Sequence, residues 1–418
     1  MFESIEINGF RALKSVCVDL AEFQVLVGPN ASGKSTFFDA IAFVRDILIG
    51  GLEGAVFGKA QFFQVPMRAA DPLDLSWQRR GDPIEMAFTV KIPEHLRAGT
   101  QYTALRYEIS VDVTGPLRLA NENLFLCPEP EDRPKRQLSF DFPHDRSLPS
   151  PVHRNTPKHW RKVVSKTDTG NDYFRSEITD WNNMFRLGPA KSALANLPED
   201  EGRFPIAIWF KRALMEGTYR LALNAEAMRV PSRAGSQSTL LPDGSNLPWV
   251  VDALEQQNPE RFQDWMEHLR TSLPDIAEVR VKEREEDRAR YLQVVYRNGL
   301  ESPSWLLSDG TLRMLALTLL AYAPTFSRIV LIEEPENGIH PQAVESVLQS
   351  LQSIYSTQVF LATHSPVVLS QIELKDLLCF AKTREGATDI VRGSEHPALR
   401  DWKAAVHLGD LLALGVLG

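Results

Sequence analysis

Apolar residues in this chain change their spacing along its length, and each change marks an element. SIEINGF (4–10) and SVCVDL (15–20) alternate apolar with polar positions, the period of a half-buried strand, whereas FQVLVG (23–28) is a continuous apolar run, as in a strand covered on both faces. Phe37, Ile41, Val44 and Leu48 then recur at i, i+4, i+7 and i+11, one face of a helix, which Gly50-Gly51 is expected to end. Antiparallel strands are expected at IEMAFTVKI, ALRYEISVDV and ENLFLC, starting from residue 84. Residues 128–170 lose the long apolar runs and gain proline and charge, which predicts an irregular insertion. Helical spacing returns over 203–228 and 247–273, around the polar stretch VPSRAGSQSTLLPDGSN, and strands are expected near 277–282 and 291–297.

The last third alternates helix and strand: a helix at 311–322, the strand RIVLIEE, a helix at 341–354 and the strand QVFLATHS. Apolar strands that end in polar residues, in α/β order, predict a parallel arrangement with ligands at the carboxyl ends. Boundaries are expected near 127 and 275: an N-terminal part, an insertion that is irregular and then helical, and a C-terminal part over 276–418. Neither an internal repeat nor sustained heptads are present, which argues against a long coiled coil.

Composition narrows the classes. The 418 residues, 43% of them apolar, suffice for a sizeable core and two or three structural units, and the net charge of -8 excludes a uniformly basic nucleic-acid coat. Cys17, Cys127 and Cys379 form no CxxC or Cys/His cluster, so neither a disulfide framework nor a zinc site is indicated. The opening MFESIEINGF has no basic n-region and no apolar h-region, and the longest apolar stretch, 314–326, is interrupted by Pro324 and is shorter than the ~20 residues that span a bilayer. A soluble protein in a reducing cytoplasm, with no membrane partner, is the expectation.

Four motifs carry chemistry. Gly28, Pro29, Asn30, Ala31, Ser32, Gly33, Lys34, Ser35 and Thr36 form the full phosphate-loop pattern between a strand and a helix. Its glycines let backbone N–H groups turn inward, Lys34 can reach the β- and γ-phosphates, and the Ser35 hydroxyl can ligate Mg²⁺. RIVLIEEPENGIHP delivers Glu333 and Glu334 to the end of a buried strand, one acid for the magnesium shell and the other to orient or deprotonate a water. His364 follows the next strand and can donate to a γ-phosphate. In LLSDGTLRML, Ser308 and Gly310 precede a helix with an apolar stripe, a second phosphate-binding end outside the phosphate loop, although SDG alone is an ordinary turn and cap.

In this order GPNASGKST, LSDGT, LIEEPENGIHP and ATHS resemble the motifs of ABC-type P-loop ATPases. The sequence is similar to the soluble SMC/RecF-like branch, and within it to the ATPase domain of the overcoming-lysogenization-defect (OLD) family and related bacterial antiphage-defence ATPases; IEINGFRALKSVCVDLAEFQVLVGPNASGKST and LLPDGSNLPWVVDAL share in the likeness. The resemblance implies an α/β ATPase head, with a mixed central sheet, flanking helices and an antiparallel β subdomain, carrying a largely helical insertion. It implies that residues 28–36 are Walker A, 307–311 the ABC signature, Glu333 the Walker B metal position, Glu334 the catalytic carboxylate and His364 the switch histidine. ATP and Mg²⁺ are the implied cofactors, and a homodimer sandwiching two ATP molecules is the implied assembly.

The chain departs from that pattern in places. Glu333 stands where Asp is usual, and Asp309 and Thr311 where Gly and Gln are common; Gln61, Gln64 and Gln78 all compete for the Q-loop position. The chain stops about fifty residues past His364, without a Toprim nuclease domain, so any nuclease is expected on a separate polypeptide. Two uses of the ATPase remain: a switch for a partner nuclease or toxin in antiphage defence, or a RecF-like DNA-repair or DNA-end sensor. A transporter ATPase is disfavoured by the roughly 270 residues between Walker A and the signature. For direct nucleic-acid contact the best feature is HRNTPKHWRKVVSK, in which Arg154, Lys158, Arg161, Lys162 and Lys166 can neutralise phosphates and Trp160 can stack on a base, against the alternative of a solvated loop. The apolar tail LGDLLALGVLG is either packed on its own head or a docking surface.

Overall fold

The computed structural model describes residues 1–58, 65–128, 142–167, 171–323, 329–354, 357–399 and 408–413. They fall into two compact units, the first comprising the described residues of 1–218 and 374–399 and the second those of 219–373 and 408–413.

The first unit opens with β1 (Phe2–Phe10), β2 (Leu13–Asp19), β3 (Phe23–Val27) and α1 (Lys34–Phe57). There follow β4 (Ile84–Lys91), β5 (Ala104–Asp112), β6 (Arg118–Cys127), β7 (Arg161–Lys166), β8 (Asp172–Arg175), β9 (Asn182–Phe185) and α2 (Pro205–Met215). Eight of these strands make one antiparallel sheet in the order β2-β1-β4-β5-β6-β7-β8-β9. The expected antiparallel strands are therefore present, but the sheet does not stop at 127. Two short strands after β7 extend it, each paired to its predecessor.

Two polar clusters are sunk in this sheet. Glu122 is fully buried and accepts hydrogen bonds from the Tyr107 hydroxyl (2.8 Å), the Ser192 hydroxyl (2.6 Å) and the N–H groups of Ala193 (2.6 Å) and Leu194 (3.0 Å). Burial pushes its carboxyl up, against the pull of these donors. Buried Arg106 pairs with Glu6 (2.6 Å) and Glu108 (2.7 Å) and donates to the Pro151 carbonyl (2.8 Å), and the His153 N–H reaches Glu108 (2.8 Å). Each cluster staples an irregular segment to the sheet by satisfying groups that would otherwise be buried unpaired.

Gly50-Gly51 does not end α1. Gly51 takes a non-helical conformation (φ 71°, ψ 176°) that kinks the helix, and the helix runs on to Phe57 before closing at left-handed Gly58. The reason is apolar: Leu52, Ala55 and Val56 beyond the kink are buried. Asp39 and Asp46 fix the helix from its polar side, Asp39 pairing with Arg11 (2.7 Å) and Arg68 (2.8 Å), and Asp46 with Arg68 (2.7 Å) and Arg45 (3.0 Å).

Helical spacing over 203–228 is divided. Past α2 and Gly217 comes β10 (Thr218–Leu221), and only then α3 (Ala225–Arg229), whose N-cap Asn224 accepts from Glu226 N–H at 2.9 Å. The second unit continues with α4 (Leu247–Gln257), α5 (Pro259–Ser272), the antiparallel strands β11 (Ile276–Glu283), β12 (Arg290–Tyr296) and β13 (Glu301–Pro303), and α6 (Asp309–Leu319). After it come β14 (Ile329–Glu333), α7 (Pro341–Gln352), β15 (Gln358–Ala362) and α8 (Pro366–Leu369). As the α/β order predicts, β14 and β15 pair in parallel. Trp265 of α5, fully buried, donates its indole N–H to Thr318 of α6 (3.0 Å).

The chain then returns to the first unit with β16 (Leu377–Lys382) and β17 (Thr388–Arg392), where β16 runs parallel to β3 and antiparallel to β17. The tail contributes α9 (Leu408–Ala413) to the second unit, with Leu408 buried and Gly409 so close to Pro366 that an added Cβ would lie 2.7 Å from its carbonyl oxygen. That contact supports the self-packing alternative for the tail. Among the described residues no helix is long and apolar enough to cross a membrane.

Candidate functional site

The phosphate loop lies between β3 and α1, and its backbone conformations demand its glycines. Gly28 (φ 150°) and Gly33 (φ 105°) are both in the positive-φ region, and Ala31 (φ 60°) between them is left-handed. A Cβ on Gly28 would stand 2.1 Å from the Phe380 carbonyl oxygen, and one on Gly33 2.1 Å from Thr388 Oγ1. Two β-strands of the same unit therefore press the loop into shape. Thr388 also donates its hydroxyl to the Ser32 carbonyl at 2.8 Å.

Lys34 opens α1 and is buried, its ammonium donating to the carbonyls of Gly28 (2.8 Å) and Pro29 (3.0 Å). Ser32 Oγ is buried without a hydrogen-bond partner, and Ser35 is exposed in the first turn of a 24-residue helix. A cation, an orphan hydroxyl, a helix N-terminus and a cradle that no Cβ could enter fit the phosphates of a nucleotide, with Ser35 placed for Mg²⁺.

In the second unit, β14 ends on Glu333, and the chain turns sharply at Glu334, a non-glycine residue with φ 46° held by its N–H bond to the Ala362 carbonyl (2.8 Å). Asn337 donates its side-chain amide closely to the Glu334 carboxylate. Glu333 is paired with Arg220 of β10 at 2.6 Å, a partner that nothing in the sequence signals. His364 is half-exposed, two residues past the end of β15. Glu336, overlooked beside the Glu333-Glu334 pair, accepts from the Thr363 hydroxyl just past β15. Burial pushes the Glu336 carboxyl up. Its signal in the sequence was a third acid in EEPENG.

Residues 307–311, the expected signature, lie at the start of α6. Ser308 is the N-cap, exposed, its hydroxyl accepting from Thr311 N–H (3.1 Å). Gly310 lies against the loop after β14, where a Cβ would be 2.4 Å from the Gly338 carbonyl oxygen. Arg229 of α3 braces the segment, donating to the Leu307 carbonyl (3.1 and 3.3 Å) and closely to Asp309. An open cavity beside the helix start is lined by Ser308, Gly310, Thr311, Gly338, His340 and Gln342.

The basic stretch is not a continuous exposed patch. Lys166 is fully buried in an ion pair with Asp172 (2.6 Å), so it is withdrawn from any phosphate. Arg161 donates to the carbonyl of Ser176 (2.8 Å), Lys162 lies over the Phe125 ring, and Trp160 packs edge-on against Phe125. The physical reason is β7: once 161–166 joins the sheet, alternate side chains turn into it. Arg154 and Lys158 remain exposed. Gln61 and Gln64 lie outside the described residues; Gln78 donates to the Glu385 carbonyl (3.3 Å). Among the described residues no group of three or more His, Cys, Asp or Glu is gathered as a metal cluster.

A family model described as "AAA domain, putative AbiEii toxin, Type IV TA system" matches residues 23–370, from β3 to just past α8. "Retron Vc95 probable ATPase" of Vibrio cholerae serotype O1 biovar El Tor is 26% identical over 179 residues, 35% of this chain and 32% of that protein, so the chain spans about a third of that curated relative's length. Among solved structures, an SMC head bound to the C-winged helix domain of ScpA is similar over 93% of this chain and 96% of that chain, with a TM-score of 0.52 and 15% identity. The fold is accordingly that of an SMC-type ATPase head.

Proposed function

Because the chain belongs to the family described as AAA domain, putative AbiEii toxin, Type IV TA system, and is a P-loop ATPase of SMC-head fold, we propose that it hydrolyses Mg-ATP as a homodimer and that this cycle switches a separate effector, a nuclease or toxin, in antiphage defence. The observation that carries the reading is Ser308, exposed at the N-terminus of a helix other than the one that follows the phosphate loop. A chain with two phosphate-binding helix ends is equipped to contribute to two sites at once. The retron ATPase likeness and the toxin-related family description support the defence setting. A partner of the OLD type, with its nuclease on another polypeptide, fits the same reading.

In the proposed cycle, Lys34 leaves the carbonyls of Gly28 and Pro29 for the β- and γ-phosphates. Ser35 and Glu333 would hold Mg²⁺, which supplies charge neutralisation on the phosphates. Glu334 orients a water and takes its proton, His364 donates to the γ-phosphate, and Ser308 and Gly310 of a second copy close over it. Glu333 must give up Arg220 to serve, an exchange of one cation for another on the same carboxylate.

Mixing two inactive variants tests the shared site. Lys34→Ala removes the phosphate-loop cation and Ser308→Arg blocks the signature; each alone should be inactive, and a mixture should regain turnover through mixed dimers that carry one intact composite site. No recovery at any mixing ratio would count against a site shared between copies. Of the five Lys and Arg residues in the stretch that best supports the RecF-like reading, only Arg154 and Lys158 are exposed, and charge reversal there should leave DNA retention unchanged.

A further inference from the structure

We infer that Glu336 is the positioning residue for His364, tying the turn after β15 to the loop after β14 through a single carboxyl. Its consequence for catalysis rests on the ATPase reading above; its contacts do not. The Glu336 carboxyl accepts from the Thr363 hydroxyl and from the backbone N–H of His364. Thr363 is fully buried, and while its hydroxyl donates to Glu336 its oxygen accepts the Ser365 N–H at 2.9 Å. One carboxyl thereby organises all three residues of the Thr-His-Ser turn, the amide on His364 and the groups on either side of it. The histidine's own ring is left half-exposed.

The same loop reaches the other two chemical groups. Two residues before Glu336 stands Glu334, held by Asn337; two residues after it, Gly338 presents the carbonyl on which Gly310 of the signature rests. Ile339 N–H closes the loop onto the Glu336 carbonyl at 3.0 Å. A change in the set of the loop is therefore felt at the carboxylate, the histidine and the signature glycine together.

A role in packing alone would not call for a carboxyl. Glu336 Oε2 is buried without a hydrogen-bond partner, a cost that a leucine or methionine of similar size would avoid. What glutamate adds is the acceptor oxygen that gathers the Thr363 hydroxyl and the His364 amide. Glutamine keeps that acceptor and alanine does not, which separates positioning from bulk.

The test uses the full-length protein with Glu336→Ala, Glu336→Gln, His364→Ala and the Glu336→Ala/His364→Ala double variant. Hydrogen exchange of the 360–366 peptide should rise roughly tenfold at the His364 amide in Glu336→Ala and stay near native in Glu336→Gln. Turnover should fall by about tenfold in Glu336→Ala with KM for ATP changed less than twofold, and the double variant should be no slower than His364→Ala. Native exchange in Glu336→Ala, equal damage in Glu336→Gln and Glu336→Ala, or single losses that multiply in the double variant would overturn the inference. If the native protein itself fails to hydrolyse ATP, the ATPase reading fails, and the exchange result alone then decides whether Glu336 holds the turn.

Discussion

At Gly33 the loop conformation and its surroundings make the same demand. Its φ of 105° disfavours any side chain, and Thr388 Oγ1 occupies the place of a Cβ. Gly33→Ala should therefore lower stability by roughly 1–3 kcal/mol and abolish nucleotide binding, read by thermal melting with and without ATP. A variant that melts normally and still gains stability from ATP would show that the loop is not held as described. Arg229 makes the complementary case in the second unit. Arg229→Ala releases the Leu307 carbonyl and Asp309, and should cut turnover while leaving ATP affinity within about twofold, because the contacts it loses brace the start of α6. Loss of affinity instead would place Arg229 in binding. Lys34, Ser35, Glu333, Glu334 and Ser308 were singled out in the sequence because each belongs to a spaced motif with a chemical reason. Arg220, Arg229 and Thr363 were not, because their partners lie 113, 80 and 27 residues away and no local pattern announces a long-range pair.

Among the elements, those with clean periodicity were legible: β1 to β6, the first part of α1, the β11–β12 hairpin and the parallel pair β14–β15. β7 to β9 were hidden because they are four to six residues long and rich in charged or polar residues that find partners only in the assembled sheet. The basic stretch illustrates the cost of reading charge without pairing: Lys166 looks like a phosphate ligand until Asp172 is opposite it. Glu177 makes the same point at the start of α2, where it accepts from Ile206 N–H (2.9 Å) and Ala207 N–H (2.7 Å). Burial pushes its carboxyl up to about 7, the two amides pulling the other way without prevailing. A folded value above the unfolded one means that the contribution is complete below about 4.5 and is lost as pH rises through about 7. The native protein should lose roughly 3 kcal/mol from this group between pH 4.5 and pH 8, and Glu177→Gln should flatten that part of the profile, as measured by denaturant melts across the range. Superimposable profiles would mean that Glu177 titrates alike in the folded and unfolded chains.

On the scale of the whole molecule, the proposed chemistry draws on both units: Lys34 and Ser35 belong to the first, and Glu333, Glu334, His364 and Ser308 to the second. The fold class and the ATPase family were readable from motif order, since four short patterns in one sequence constrain each other far more than any does alone. The proposed effector's identity was not, because a partner's identity lies in surfaces that apolar spacing does not report. The most direct test of the account is native mass spectrometry of the Glu334→Gln protein with ATP and Mg²⁺, purified after co-expression with its genomic neighbours. The prediction is a mass of two copies carrying two nucleotides together with an additional polypeptide, and a return to single copies when Lys34→Ala is added. A single copy with one bound ATP would contradict the dimeric switch.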